Sequence, residues 1–306
     1  MGRMVDGQWQ SGWAKPGTSG AFVRGTTKFR DKSLVPELGR YHLYVSYACP
    51  WAHRTLIVRA LRGLEDALPV TVVDPKMGLD GWVISEGKLL RDVYLAADPK
   101  FTGHVTVPVL WDEKRKTIAN NESRELIRMF DTDLEPLAKN KTSDYVGAPP
   151  ELRARIDETL TAIYEPVNNG VYRAGFASSQ GAYEEACRGV FEALDHWNGV
   201  LGKQRFMCGD VMTEADVAMF TTCLRFDLVY YAHFKCNIRR MQDYPNLWGF
   251  VRDMYQRPEI KPTCNLDHIK THYYWSQENV NPTRIVPLGP TLPLDEPHDR
   301  AQASLR

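Results

Sequence analysis

The chain has 306 residues, 43% hydrophobic and 25% charged, which is length for two domains with a core each and the composition of an ordinary globular protein. Lys plus Arg equals Asp plus Glu at 38 each, which excludes the basic field that holds nucleic acid or an anionic membrane, and no stretch reaches the roughly 18 apolar residues of a membrane span. Six cysteines (49, 187, 208, 223, 236 and 264) are scattered along the chain, so reduced thiols in a cytoplasm are expected rather than a disulfide framework.

The opening, MGRMVDGQWQ, has no apolar signal core, and Asp6 stands where a myristoylation signal needs Ser or Thr. Residues 1–40 carry Gly, Lys, Arg and Ser with isolated aromatics (Trp9, Trp13, Phe22, Phe29) and no period. They are read as an extended arm that packs over something else.

Tyr41, Leu43 and Val45 then alternate with His42, Tyr44 and Ser46, the period-two pattern of a strand. Pro50 follows Cys49, and proline suits the first helical position because its missing N–H would have no partner there. Cys49 is therefore expected as the N-cap of a helix. Leu56, Ile57, Ala60 and Leu61 recur at helical spacing, Arg54, Arg59 and Arg62 supply the other face, and the helix should stop near Gly63. A thiol so placed meets unpaired N–H groups and the positive end of the helix dipole, an environment that lowers cysteine pKa values to roughly 3.5–7.5. Strand, cysteine, proline and helix in this order make the pattern of a thiol-redox site. Three residues on stands Ala52, not a second cysteine. A mixed disulfide on Cys49 must then be resolved by an external thiol, for which glutathione is the obvious candidate in a reducing compartment. His53 could assist as a base but is expected to face solvent.

Val70 to Asp74, bounded by Pro69 and Pro75, suits a second buried strand. Pro75 to Thr106 is irregular and too long for a plain connection; it contains Trp82 and a helix around Leu89 to Ala97 that Pro99 ends. Val107-Pro108-Val109-Leu110-Trp111, a charged turn and Thr117-Ile118-Ala119 read as a hairpin. Its Val-Pro start is explained by a cis peptide that presents the preceding backbone to a ligand. Asn120 to Ser123 opens a helix carrying Leu126, Ile127 and Phe130. The order β-α-β-α-β-β-α is thioredoxin-like.

The polar residues 136–150, ending in Pro149-Pro150, are expected as a linker, which gives an arm (1–40), a thioredoxin-like domain (41–135), a helical domain (151–258) and a tail (259–306). Helices are predicted over Glu151 to Tyr164, Gln180 to Leu201, Thr213 to Tyr231 and Leu247 to Gln256. Thr213 to Asp216 reads as a capping box that starts a buried helix. The tail, with His272-Tyr273-Tyr274-Trp275 and then Pro282, Pro287 and Pro290, should wrap as loop. Cys264, His268 and His272 have the spacing of a metal face on a helix, but an irregular tail does not supply that helix, and no metal is expected.

Together these features resemble the glutathione transferase superfamily. Cys49-Pro50-Trp51-Ala52, Gly81-Trp82, Val107-Pro108, the run Asn169 to Ala177 around Tyr172, Arg225-Phe226-Asp227, His233 to Asn237 and His272-Tyr273-Tyr274 are similar to the motifs of its glutathionyl-hydroquinone reductases, the Xi class, from about residue 20 to residue 290. The resemblance implies an α/β plus all-α fold: an N-terminal thioredoxin-like domain followed by a helical glutathione-transferase C-terminal domain. It implies glutathione as co-substrate, a homodimer, and removal of glutathione from glutathionyl-hydroquinones. Cys49 resembles the family's nucleophile, Trp82 the residue lying against glutathione, Val107 the backbone that pairs with its cysteinyl unit, and Glu122 and Ser123 the pair holding its γ-glutamyl end. Tyr172 and Tyr273 resemble the phenols of the aromatic-substrate pocket. Gln277 and Arg284 depart from the histidine and glycine of the family pattern. The alternatives are an omega-like thiol transferase or dehydroascorbate reductase, and a non-catalytic transferase-like module, against which the retained cysteine and glutathione set speak.

Overall fold

The structure, a computed structural model, describes residues 2–12, 20–141 and 150–300. Most of the expected linker, Pro149 included, and Trp13 of the arm lie outside the described residues. The described residues fall into two compact units: one within Met1–Lys15, Arg24–Thr142 and Asn265–Val286, the other within Pro16–Val23, Ser143–Cys264 and Pro287–Arg306.

The first unit opens on a hairpin absent from the sequence reading, β1 (Arg3–Val5) and β2 (Gln8–Gln10). Asp6 and Gly7 turn it with φ of 47° and 77°, and Met4 bridges to Gly103. The arm continues along the free edge of the later sheet, where Asp31 N–H donates to Ala119 O at 3.0 Å and Asn121 N–H to Phe29 O at 3.1 Å. It thereby covers an edge that would otherwise expose unpaired backbone.

β3 (Tyr41–Val45) and α1 (Pro50–Leu61) form as the pattern predicts. Gly63, at φ 62°, ends the helix: its N–H bonds to Ala60 O, and Leu64 N–H to Arg59 O, the paired closure that glycine permits after a helix. β4 (Val70–Val72), β5 (Val83–Ser85), β6 (Lys88–Leu89), α2 (Leu90–Ala97), β7 (Val109–Asp112), β8 (Thr117–Asn120) and α3 (Ser123–Asp131) follow. The four-stranded sheet has the order β4-β3-β7-β8, with β4 parallel to β3 and the other pairs antiparallel. Asp112 Oδ1 accepts from Lys114 and Arg115 N–H, both at 3.0 Å, and so makes the hairpin turn.

One expectation for α1 fails. Its sequence suggests an apolar face and an arginine face, yet Arg54 and Arg62 are buried, and so is His53, which was expected to face solvent. α3 packs on this helix and Arg62 Nε pairs with Asp131 Oδ1 at 3.2 Å, while the Arg54 guanidinium lies 4.4 Å over the Trp51 ring. Long cationic stems can be covered when their heads find a carboxylate or an aromatic face.

The second unit is helical. α4 (Pro150–Ile163) passes through a π-helical turn, Tyr164–Asn168, into α5 (Gly170–Gly175). α6 (Gln180–Leu201) buries Ala186, Val190, Phe191, Leu194, Trp197 and Leu201 at helical spacing. α7 (Glu214–Arg225) is buried along its whole length and ends in a second π turn, Phe226–Tyr230; α8 (Pro245–Tyr255) completes the set. The capping box at Thr213 is present: Asp216 Oδ2 accepts from Thr213 N–H and Oγ1–H at 2.8 and 2.9 Å, and burial raises this carboxyl to about 6. Residues 287–299 run without helix, closed by Arg300, which donates to Leu201, Gln204 and Arg205 carbonyls at 2.6–2.7 Å.

The tail is not all loop. α9 (Leu266–Ser276) is a helix of the first unit, capped by Asn265, whose side chain accepts from His268 N–H at 2.9 Å. It buries Ile269, His272, Tyr273 and Ser276, one face of an amphipathic turn pattern.

Candidate active site

Sheet register gathers Cys49, Val107, Glu122 and Ser123 at one end of the four-stranded sheet. β3 runs towards α1, which starts after Cys49. β7 is antiparallel to it and pairs Val109 with Tyr44, so Val107 enters at that same end. β8 reverses again and pairs Asn120 with Leu110, so α3 with Glu122 and Ser123 also starts there.

Cys49 is the N-cap of α1, in extended conformation (φ −77°, ψ 120°), and its carbonyl accepts the first helical bond from His53 N–H at 2.9 Å. No acidic residue stands in the first turn to oppose a thiolate. The thiol is partly exposed, and Sγ–H donates to Val107 O at 3.5 Å. The Val107–Pro108 peptide is cis. Cys187, Cys208, Cys223 and Cys236 are buried, and burial pushes the Cys264 thiol up to about 12.

Glu122 caps α3: its carboxylate accepts from Arg124 N–H at 3.3 Å and from Thr27 Oγ1–H, in the arm, at 3.2 Å. Ser123 is the first helical residue and is buried. Trp82, 5% exposed, stacks on the His272 ring of α9, centroids 4.6 Å apart and planes 20° from parallel. Tyr273 follows on α9 and is buried. His268 meets Tyr47 edge to face at 5.6 Å. Among the described residues no three His, Cys, Asp or Glu side chains group as a metal site.

Tyr172 belongs to the helical unit. It sits on α5 straight after the first π turn, and its hydroxyl is 3.5 Å from that of Tyr230, which ends the second π turn. Phe234 and Phe176 flank its ring at 5.5 and 6.1 Å. Gly175 allows this packing, since a Cβ there would fall 2.1 Å from the Phe234 ring. Sequence patterning gave no place in the site to Tyr230, which meets Tyr172, to His272, which stacks on Trp82, or to Ser276, which bonds to Pro75 and Met77. Helical spacing of residues 269, 272, 273 and 276 was the available signal for the last two. Asp227, singled out within Arg225-Phe226-Asp227, is structural: it accepts from Met241 N–H at 2.6 Å and from Gln242 N–H at 3.3 Å.

Residues 48–133 match the glutathione S-transferase N-terminal domain model and residues 180–253 the C-terminal domain model. The chain is 47% identical to glutathionyl-hydroquinone reductase YqjG of Escherichia coli over 98% of each chain, and 45% identical to glutathionyl-hydroquinone reductase PcpF of Sphingobium chlorophenolicum over 96% of this chain and 98% of that one. The glutathione-bound structure of YqjG superposes with a TM-score of 0.86, covering 98% of this chain and 99% of that one. A Xi-class glutathione transferase from Natrialba magadii, 47% identical, superposes with a TM-score of 0.91 over 99% of this chain and 97% of its own. With a partly exposed thiol as the N-cap of α1, a cis Val-Pro beside it and matches of this extent, the chain belongs to the glutathionyl-hydroquinone reductases, the Xi class of the glutathione transferase superfamily.

Proposed function

We propose that the protein removes glutathione from glutathionyl-hydroquinones, with Cys49 as nucleophile. The observation that carries the reading is Cys49 Sγ at the start of α1 beside the Val107 carbonyl, with Ala52 where a dithiol enzyme has its second sulfur. The Cys49 thiolate attacks the glutathione sulfur of the conjugate in its keto tautomer. The carbon–sulfur pair passes into the ring as the sulfur–sulfur bond forms, and the ring oxygen takes a proton to give hydroquinone. A second glutathione thiolate then attacks the glutathione sulfur of the mixed disulfide, releasing Cys49 thiolate and GSSG. Conjugate plus glutathione thus becomes hydroquinone plus GSSG.

Val107 offers the backbone that an extended peptide pairs with, as in strand addition. The positive end of α3, with Ser123 as its first residue, suits the γ-glutamyl carboxylate, and Glu122 its ammonium. Trp82 covers the peptide. The family resemblance gives Tyr172 and Tyr273 the role of phenol donors to charge developing on a ring oxygen. The working species is proposed to be a cytoplasmic homodimer, as membership of the family leads one to expect. No helix among the described residues is long and apolar enough to cross a membrane.

The test is purified protein with glutathione and a glutathionyl-hydroquinone, following free hydroquinone and GSSG. Equal yields of the two, abolished by Cys49→Ser, are expected, because an unactivated hydroxyl is a poor nucleophile. Faster turnover of dehydroascorbate than of the conjugate would favour the thiol-transferase alternative.

A further inference from the structure

The connection from β4 to β5 carries Trp82 at its end, and α9 grips this connection at two places. His272 Nδ1 lies 2.9 Å from the carbonyl oxygen of Pro75. A carbonyl only accepts, so Nδ1 carries the proton. The same oxygen accepts from Ser276 Oγ–H at 3.1 Å, and Ser276 Oγ accepts from Met77 N–H at 2.9 Å. His272 and Ser276 are four residues apart and share a helix face, so one turn of α9 holds residues 75–77 by three hydrogen bonds. Both side chains and Met77 are buried. The imidazole, fixed in orientation by its bond to Pro75, lies parallel to the Trp82 indole at 4.6 Å.

We infer that His272 is a positioning residue for the glutathione site, assisted by Ser276: its stack on Trp82 and its bond to Pro75 set where the indole wall stands. The inference rests on the reading of Trp82 as that wall. Histidine is suited to the place because one side chain supplies both a flat ring to stack and a donor that locks the ring's angle. Phenylalanine keeps the first and loses the second; glutamine does the reverse. The same helix carries Tyr273, so the support of the peptide-site wall and a proposed phenol donor are built on one element.

The test is a double-mutant cycle on glutathione affinity, measured by titration calorimetry with Cys49 reduced. Stacking and an orienting hydrogen bond together correspond to about a 10-fold loss for His272→Ala, and to about 3-fold for each of His272→Phe, His272→Gln and Ser276→Ala. The Cys49 alkylation rate should stay within about 2-fold, since no group on the thiol is touched. In a Trp82→Ala background His272→Ala should cost nothing further, the non-additivity that separates positioning from general loosening of the fold. Additive losses, or wild-type affinity in His272→Ala while Trp82→Ala binds weakly, would overturn the role of His272 alone. Unchanged affinity in Trp82→Ala would overturn the glutathione wall and this inference with it. If His272→Ala fails to fold, the Phe and Gln variants carry the same cycle.

Discussion

Glu125→Gln measures how firmly the arm is fastened over the start of α3. Arg30 meets the Glu125 carboxylate with two donors, Nε at 2.8 Å and Nη2 at 2.6 Å, and Asn120 Nδ2 adds a third at 2.8 Å. The Arg30 guanidinium, foremost among these, holds the carboxyl at about 2 against an ordinary 4.5. At about 1.36 kcal/mol per tenfold change in proton affinity, this sets a ceiling of about 3.4 kcal/mol. The Arg30 side chain is 39% exposed and that of Glu125 23%, and solvent screening of so open a pair leaves about 1–2 kcal/mol. The folded-state pKa lies below the unfolded one, so the contribution is complete above about 4.5 and is lost as pH falls towards 2. Urea midpoints followed by tryptophan fluorescence should therefore show Glu125→Gln less stable than wild type by about 1–2 kcal/mol at pH 7, a gap that narrows steadily below pH 4.5. Because Thr27 in the same arm bonds to Glu122, the variant should also raise KM for glutathione. A gap that is absent at pH 7, or that persists unchanged to pH 3, would refute the reasoning.

Incubation with GSSG should add one glutathione, on Cys49, reversibly; an intramolecular disulfide involving Cys49 in the mass spectrum would mean that a resolving thiol exists. Ser123→Ala should weaken glutathione binding by roughly 1–3 kcal/mol through loss of a charge-assisted bond, and unchanged affinity would remove Ser123 from the site. Tyr172→Phe and Tyr273→Phe should each lower kcat on the conjugate by about 100-fold while sparing reaction of Cys49 with a small disulfide, which needs no ring to accept charge. Equal losses on both substrates would make these tyrosines packing residues. Arg284 stands at φ 56°, where glycine was expected; its guanidinium pairs with Glu278 and lies 4.7 Å over the Trp275 ring. Arg284→Ala keeps the backbone cost and loses both contacts, so Arg284→Gly should be the more stable variant by about 1 kcal/mol in thermal melts.

The segment proposed as the redox site was legible because it is local. A period-two run, a cysteine, a proline and a period of 3.6 specify strand, cap and helix through sterics and hydrogen bonding within some twenty residues, and β3, Cys49 and α1 follow accordingly. The capping box at Thr213 and the stop at Gly63 were readable for the same reason. The β1–β2 hairpin was not, because strands of three residues carry too few side chains to show a period.

What the sequence by itself determined is thus the main thioredoxin-like elements (β3, α1, β4, α2, β7, β8 and α3) in their order, the solitary thiol at a helix start and the family whose motifs surround it. Tertiary structure alone decided the environments. α9 kept its amphipathic spacing, but the prolines and aromatics around it disguised a helix whose apolar face only packing reveals. His53, Arg54 and Arg62 look like solvent residues until α3 is packed against α1. Cys49 and Val107 meet, although 58 residues apart, only because β7 runs antiparallel to β3, and His272 reaches Pro75 across 197. Periodicity reports what a segment is able to bury, whereas the partner it is buried against is set by chain crossings far away in sequence.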